Sequence, residues 1–350
     1  MFDIVPKKVY DKRCEISEKS GVRKAPYHRF EEDFMEVKFH LPGLRRNYPL
    51  NVLFLGMLKG HPEFFREGVK IASCFGEFPT SLWNGGRNSR GDQCSPEYIN
   101  GVVQSLNSWG IPVRFTYTNM LLNEADLQDP YCNFCLKVAH NGMNGVILVS
   151  PLLEEYVRKN YPNMKITSST CKQIKGAEGV NTELEKGYDL VVLDYNMNNQ
   201  FEELEKITDK GRCEILINAA CEPNCARRGA HYRHISENQK NMVKNMTLPP
   251  EQQVELKPWE CKFCAGAHQN VHTIKDFCTY VSPEDIWEKY VPMGFNNFKI
   301  EGRTDDFFVV LEAYCHYMIK PEYQGQVRLQ LLRSLQEAKI VQVAQPSQMR

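Results

Sequence analysis

Four cysteines stand in two tight pairs, Cys221-Glu-Pro-Asn-Cys225 and Cys261-Lys-Phe-Cys264, soon after the apolar run Cys213 to Ala219. Each short turn aims both of its sulfurs at one point, so two such pairs can converge on one soft metal or one cluster. Four thiolates suit structural zinc or [4Fe–4S], and spacing alone does not separate them. A rival set lies in the same stretch. Cys261, Cys264, His268 and His272 are spaced to make a Cys2His2 zinc site unaided, although Gly266 interrupts the helix this needs. Cys132 and Cys135 form a further C-x2-C. Cys135 sits among Leu and Val as a packed residue, while Cys132, near Asp129 and Asn133, is the better candidate for contact with substrate.

Other side chains of the right type fall just past apolar runs. Lys299 and Glu301 alternate around Ile300, so both face one side of a strand and can tune each other's proton affinity. Arg303 follows at once, and Asp194 closes another run. These four are the expected catalytic residues; the bland alternative for the Lys–Glu pair is an ion pair that plugs the interior. Asn84, Arg87 and Asn119, with Cys132, are the expected substrate contacts. The Gly85-Gly86 turn before Arg87 is either an anion cradle or an ordinary tight turn. Ser168-Ser-Thr170 belongs to the same class of strand-end polar residues. The segment Arg227–His234 adds three arginines and two histidines beside the first cysteine pair, either as counter-charge for a cluster or anion or as a solvated basic helix.

Something must hold these residues together. Short apolar runs at 51–57, 77–82, 113–118, 145–150, 165–169, 190–194, 214–218 and 297–301 read as strands. Helices are expected at 62–72, 96–108, 123–140, 152–160, 181–185 and 201–210, then at 305–318 and 324–338. Asn181 and Thr182 are expected to cap the short fifth helix, and Gly187 to end it. Eight apolar strands, each followed by a helix, predict a (β/α)8 barrel, with a doubly wound open sheet as the alternative. In this arrangement residues 1–45 form an N-terminal arm or cap. Residues 46–320 form the barrel with a cysteine-rich insertion at 219–290, and 321–350 a C-terminal helix and tail. The insertion falls between strands seven and eight, after the carboxyl end of a strand, on the face where barrel enzymes build their sites.

Composition narrows the class. The 350 residues carry 43 Lys+Arg and 43 Asp+Glu, so net charge demands neither nucleic acid nor an acidic partner. No apolar run reaches membrane-spanning length, and the first residues lack the apolar core of a secretion signal, so a cytoplasmic location is expected. Thirteen cysteines in that compartment are expected as thiols rather than as a disulfide framework. Cys74, Cys213 and Cys315, among apolar neighbours, are ordinary core residues.

Two stretches, Glu214-Ile-Leu-Ile-Asn-Ala-Ala-Cys221 and Gly294-Phe-Asn-Asn-Phe-Lys-Ile-Glu-Gly-Arg303, resemble peptidase family U32. This family includes collagenase-like proteins and the paired proteins of anaerobic ubiquinone hydroxylation. The likeness covers roughly residues 188–320 and includes the following helix, 307–317; the cysteine spacing departs from the usual pattern, as in a diverged member. The resemblance implies a barrel with a [4Fe–4S] cluster on four cysteines and carries over to Cys221, Lys299, Glu301 and Arg303, while Cys225, Cys261 and Cys264 as the other ligands rest on their own clustering. It also implies O2-independent hydroxylation, or related chemistry, of a prenylquinone-like small molecule or an RNA base. An electron-donor protein or a homologous partner subunit would then be a partner. Neither a His-Glu-x-x-His run nor the C-x3-C-x2-C signature of radical S-adenosylmethionine enzymes occurs. The competing expectations are a zinc-stapled barrel that binds without catalysis, and a metal-dependent hydrolase or peptidase.

Overall fold

The computed structural model describes residues 36–87, 92–261, 271–303 and 305–341. Cys264 and His268 lie outside these residues, as do most of the expected N-terminal arm and the end of the tail.

Eight parallel strands close into a barrel in chain order. They are β1 (Val37–Pro42), β2 (Val69–Gly76), β3 (Val113–Tyr117), β4 (Gly145–Leu148), β5 (Lys165–Ser168), β6 (Leu190–Val192), β7 (Cys213–Leu216) and β8 (Asn297–Lys299). Pairing of β1 with β8, Phe39 opposite Phe298 and His40 opposite Lys299, shuts the cylinder. Helices follow the strands: α1 (Tyr48–Gly60), α2 (Pro96–Ser108), α3 (Pro130–Ala139), α4 (Pro151–Asn160), α5 (Gly176–Glu185), α6 (Phe201–Leu204), α7 (Arg228–Asn245), α8 (Pro283–Asp285), α9 (Phe307–Met318) and α10 (Gln324–Glu337). The barrel expected from eight alternating runs is the fold. Strands three to eight and helices α2 and α4 lie close to where the apolar pattern puts them.

The first two strands differ. The run at 51–57 is helical, inside α1, where Pro49 starts the helix and Leu50, Phe54 and Leu55 are buried. A continuous apolar run reads as a buried strand, but a helix packed on two sides shows the same pattern. The true β1, Val-Lys-Phe-His-Leu-Pro, lies in the stretch assigned to the arm, concealed by charged neighbours and by its own Lys38 and His40. β2 takes the last four residues of the expected helix 62–72, whose start is a short 3-10 turn at Pro62–Phe64, and 77–82 is the loop that follows β2. The side chain of Asn51 ties α1 to the end of β1 by donating to the carbonyls of Pro42 and Gly43, and it accepts from the Tyr314 hydroxyl at 2.6 Å.

Smaller departures have local causes. Pro130 starts α3 afresh, with Asp129 as its cap, so 123–140 is a tight turn followed by a helix. α5 begins at Gly176, which leaves Asn181 and Thr182 mid-helix; Gly187, at φ +77°, does end it. α10 packs against α1 and α9, burying Val327, Leu331 and Leu335. Among the described residues no helix is long and apolar enough to cross a membrane.

Candidate functional site

The barrel interior is charged where apolar layers are usual. Glu214 of β7, fully buried, faces Arg114 of β3 at 2.6 Å and Lys299 of β8 at 3.0 Å. Arg114 also donates from Nε to Ser73 Oγ at 2.9 Å. With its oxygen so used, Ser73 has its proton free for His40 Nδ1, 2.8 Å away, and His40 then donates from Nε2 to Asn297 Oδ1 at 3.2 Å. This chain of donors accommodates a neutral imidazole. Burial, reinforced by Arg114, accordingly lowers the pKa of His40 to about 3. The two cations, with burial opposing them, hold the Glu214 carboxyl far below the ordinary carboxylate range.

Lys299 is the link between this interior and the mouth. Burial lowers its ammonium to about 8 against the pull of Glu214, and its Nζ lies 4.0 Å from the centroid of the Phe75 ring. It lines a cavity of about 610 Å3 at the carboxyl ends of the strands. Also on the wall are Arg87, Ser169, Cys171, Tyr195, Cys221, His231, Tyr232, Glu301, Arg303 and Asp305. Lys299 and Glu301 thus share one cavity, as their alternation requires, but the carboxylate that Lys299 meets is Glu214. Glu301 is spent on the loop beside it: its Oε2 accepts from the Ala220 amide at 3.1 Å, and its backbone exchanges hydrogen bonds with Asn218. This clasp fixes the loop immediately before Cys221. Arg303 donates to Glu77 at 2.9 Å and to the Thr116 hydroxyl. Burial, with Glu301 nearby, raises the carboxyl of Asp305 to about 6.

α7, the first helix of the insertion, lies over the mouth. Arg228 forms a buried two-point ion pair with Asp194, and its guanidinium stacks 4.5 Å from the Tyr195 ring. Asn119 donates to the carbonyls of Leu82 and Ser236, and Gln239 donates to that of Ser81. Lys240 pairs with Asp126 at 2.6 Å. Gly86, at φ +79°, passes so close to α7 that a Cβ there would lie 1.9 Å from the Ile235 carbonyl oxygen.

Three expected site residues therefore act in other ways. Asp194 is consumed by Arg228 and anchors the roof. Asn84, fully buried, accepts from the Gly86 and Arg87 amides, and so builds the turn that aims Arg87. That turn is a tight turn whose amides are already satisfied. Asn119 is a strut between the β3 loop and α7. Cys132 is corrected outright: it is fully buried in α3, 3.1 Å from the Ser81 hydroxyl and away from the mouth, because the Asp129 cap turns its face of the helix inward.

The cysteine pairs lie at the same end. Cys221 lines the cavity beside the Tyr195 phenol, and Cys225 is near enough to act on its charge. Two residues on, Arg227 donates to the Glu260 carbonyl at 3.0 Å and stacks 4.5 Å from the Trp259 ring. His231 stacks 5.0 Å from the same indole. Segment 257–260, which directly precedes Cys261 in the chain, is thereby pinned to the start of α7. Cys221 and Cys225 lie close to each other, and Cys264 is outside the described residues. None of the described cysteines is in a disulfide, and no three His, Cys, Asp or Glu side chains among the described residues form a closed ligand group. The donors fit a thiolate-bound metal or cluster in kind.

Sequence reasoning passed over Cys171, Glu214, Arg114 and Tyr232. Cys171 directly follows Thr170, the last of the polar residues at the end of that strand. Arg114 and Glu214 are charges inside apolar strands, a visible sign of a polar barrel interior. Tyr232 lies within the basic segment already noted.

The family model described as peptidase family U32 matches residues 86–326. A solved structure described as "The Structure of the U32 Peptidase Mk0906" is similar at 15% sequence identity, covering 81% of this chain and 99% of that one, with a TM-score of 0.45. No curated protein matches.

Proposed function

Because the chain belongs to peptidase family U32, we propose that it is an iron–sulfur barrel enzyme that carries out O2-independent hydroxylation, or a related modification, of a substrate held in the mouth cavity. Cys221, Cys225, Cys261 and Cys264 would hold a [4Fe–4S] cluster. The observation that supports this reading is the bond from Arg227 to the Glu260 carbonyl, which ties the residue before Cys261 to the chain just after Cys225. When bound, such a cluster supplies one-electron transfer, since four cysteine ligands leave its irons no open position. An electron-donor protein or a homologous subunit would complete the system.

The chain's own residues would do the rest. Arg303, steadied by Glu77 and Thr116, and Lys299, steadied by Glu214, present cations to the substrate from the cavity wall. Lys299 can also exchange a proton near neutral pH, because its ammonium is lowered to about 8. Tyr232 and α7 shield the cavity from bulk water. A hydrolytic reading finds less support, since no His-Glu-x-x-His run is present.

Anaerobic purification followed by absorption spectroscopy and metal and sulfide analysis tests the proposal. A brown protein absorbing near ~400 nm, with about four irons and four sulfides per chain, is expected. Separate Cys221→Ser and Cys261→Ser variants should each lose most of the iron. A colourless protein with one zinc overturns the cluster and favours the zinc-stapled binding barrel; neither metal overturns both.

A further inference from the structure

The cations on the cavity wall differ in what they already hold. Lys299 faces Glu214 at 3.0 Å, Arg303 faces Glu77 at 2.9 Å, and Arg46 faces Asp306 at 3.4 Å. Arg228, behind the wall, is taken by Asp194. Arg87 alone among these has no carboxylate within ion-pair distance among the described residues. Its guanidinium rests 5.0 Å from the Tyr232 ring, and its backbone is fixed by Asn84. Glu301, the carboxylate nearest in influence, is held by the Ala220 amide. A planar donor set that is positioned by its own turn, backed by an aromatic ring and left without an anion is what a carboxylate or phosphate group needs.

The rest of the cavity limits what that anion can belong to. Phe75, Ile147, Tyr195, Leu216 and Tyr232 supply apolar and aromatic wall, suited to a flat body. Glu301, Asp305 and Asp306 stand at the same mouth, where the phosphates flanking an inserted nucleotide would have to pass. The chain as a whole has no excess positive charge, whereas nucleic-acid binding draws on one. By contrast, in an outer cavity of about 680 Å3 beside α4 the cations other than Lys159 are already paired. There Lys172 and Lys186 share Glu183 at 2.6 Å each, and Arg158 holds Glu154 at 3.0 Å.

We propose that the mouth cavity recognises a small, flat molecule through a single anionic group seated on Arg87, and that it does not accept RNA. This rests on the mouth being the substrate site, and it deepens the preceding reading without depending on which metal the cysteines hold.

Calorimetric titration of the intact, as-isolated protein with benzoate, its neutral isostere benzamide, inorganic phosphate and a single-stranded RNA 12-mer tests it. Benzoate should bind one to one and benzamide at least about tenfold more weakly. Phosphate binding as tightly as benzoate would support the anionic seat but overturn the flat body. Arg87→Gln should abolish the preference for benzoate, Arg87→Lys should keep part of it, and Arg158→Gln in the outer cavity should leave it intact. If Arg87→Gln fails to fold, the lysine variant decides: a preference unchanged from wild type overturns the two-point seat. Equal binding of benzoate and benzamide, or no benzoate binding, overturns the proposal, and so does RNA binding that disappears in the Arg87 variants. Metal content measured on the same samples separates the two readings. Arg87 as an anion seat leaves metal content unchanged, whereas loss of metal in Arg87→Gln would make the residue a counter-charge for the cluster and overturn the seat. A cluster absent from wild type that still prefers benzoate would sink only the cluster.

Discussion

Glu214 settles the charge of the barrel interior. Two cations, Arg114 and Lys299, reach its single carboxylate, and His40 beside them is kept neutral by burial and by Arg114. Replacing Glu214 by Gln removes the one anion and leaves both cations buried. Such a change should cost roughly 3–5 kcal/mol, read from urea unfolding at pH 7; a cost under about 1 kcal/mol would mean that water already reaches these cations. His40 makes a second, pH-dependent prediction. Its folded pKa, about 3, lies below the ordinary 6.5. Between those values the unfolded chain takes up a proton that the folded chain refuses, so stability must fall as pH falls through that range. From pH 7 to 5 the His40 share is about 2 kcal/mol. His231 and His316, each lowered to about 4 mainly by burial, act in the same direction. His40→Gln should therefore show a visibly shallower loss of stability between pH 7 and 5 than wild type, and an identical slope would count against the neutral imidazole.

At the scale of elements, α7 is held over the mouth by close approach as much as by polar bonds. Gly86 is the point of closest passage, where both its positive φ and the Ile235 carbonyl exclude a side chain. Gly86→Ala should cost at least about 1–3 kcal/mol of backbone strain and lift α7 away. The readout is faster protease cleavage in 228–245 together with a lower melting temperature; cleavage at the wild-type rate would show that α7 does not depend on this contact. The extent to which such elements were legible beforehand follows from what apolar periodicity records. From Val113 onward each strand is a short apolar run between turn signals, and those runs were found. Val37–Pro42 carries Lys38 and His40, because the interior it faces is polar, so the pattern fails there for the same reason that the site exists. Alternation along β8 placed Lys299 and Glu301 in one cavity. It could not show that the carboxylate meeting Lys299 comes from the neighbouring strand β7, since pairing across strands is not written in local spacing.

For the whole molecule the question is what couples the long insertion to the barrel. The described contacts are of two kinds. α7 is bound to the β2, β3 and β6 loops through Gly86, Asn119 and Asp194, while among the described residues segment 257–260 is bound to α7, through Arg227, His231, His234 and Asn238. The second attachment consists of one indole, one guanidinium, two imidazoles, the Asn238 amide and two backbone carbonyls, most of it solvent-accessible, which is little to hold a long loop in place. A metal shared by Cys221, Cys225, Cys261 and Cys264 would add four strong bonds between the same two segments, and its binding energy would then appear as local stability of the loop. Hydrogen exchange before and after anaerobic removal of the metal by a chelator measures this directly. Amides in 220–227 and 257–261 should exchange at least about tenfold faster after removal, with β1 to β8 unchanged because their ladder closes without the insertion. Exchange that stays the same in both segments would mean the thiols hold nothing that matters to the loop. Acceleration throughout the barrel would mean that the metal, and not the closed ladder, is what keeps the molecule folded.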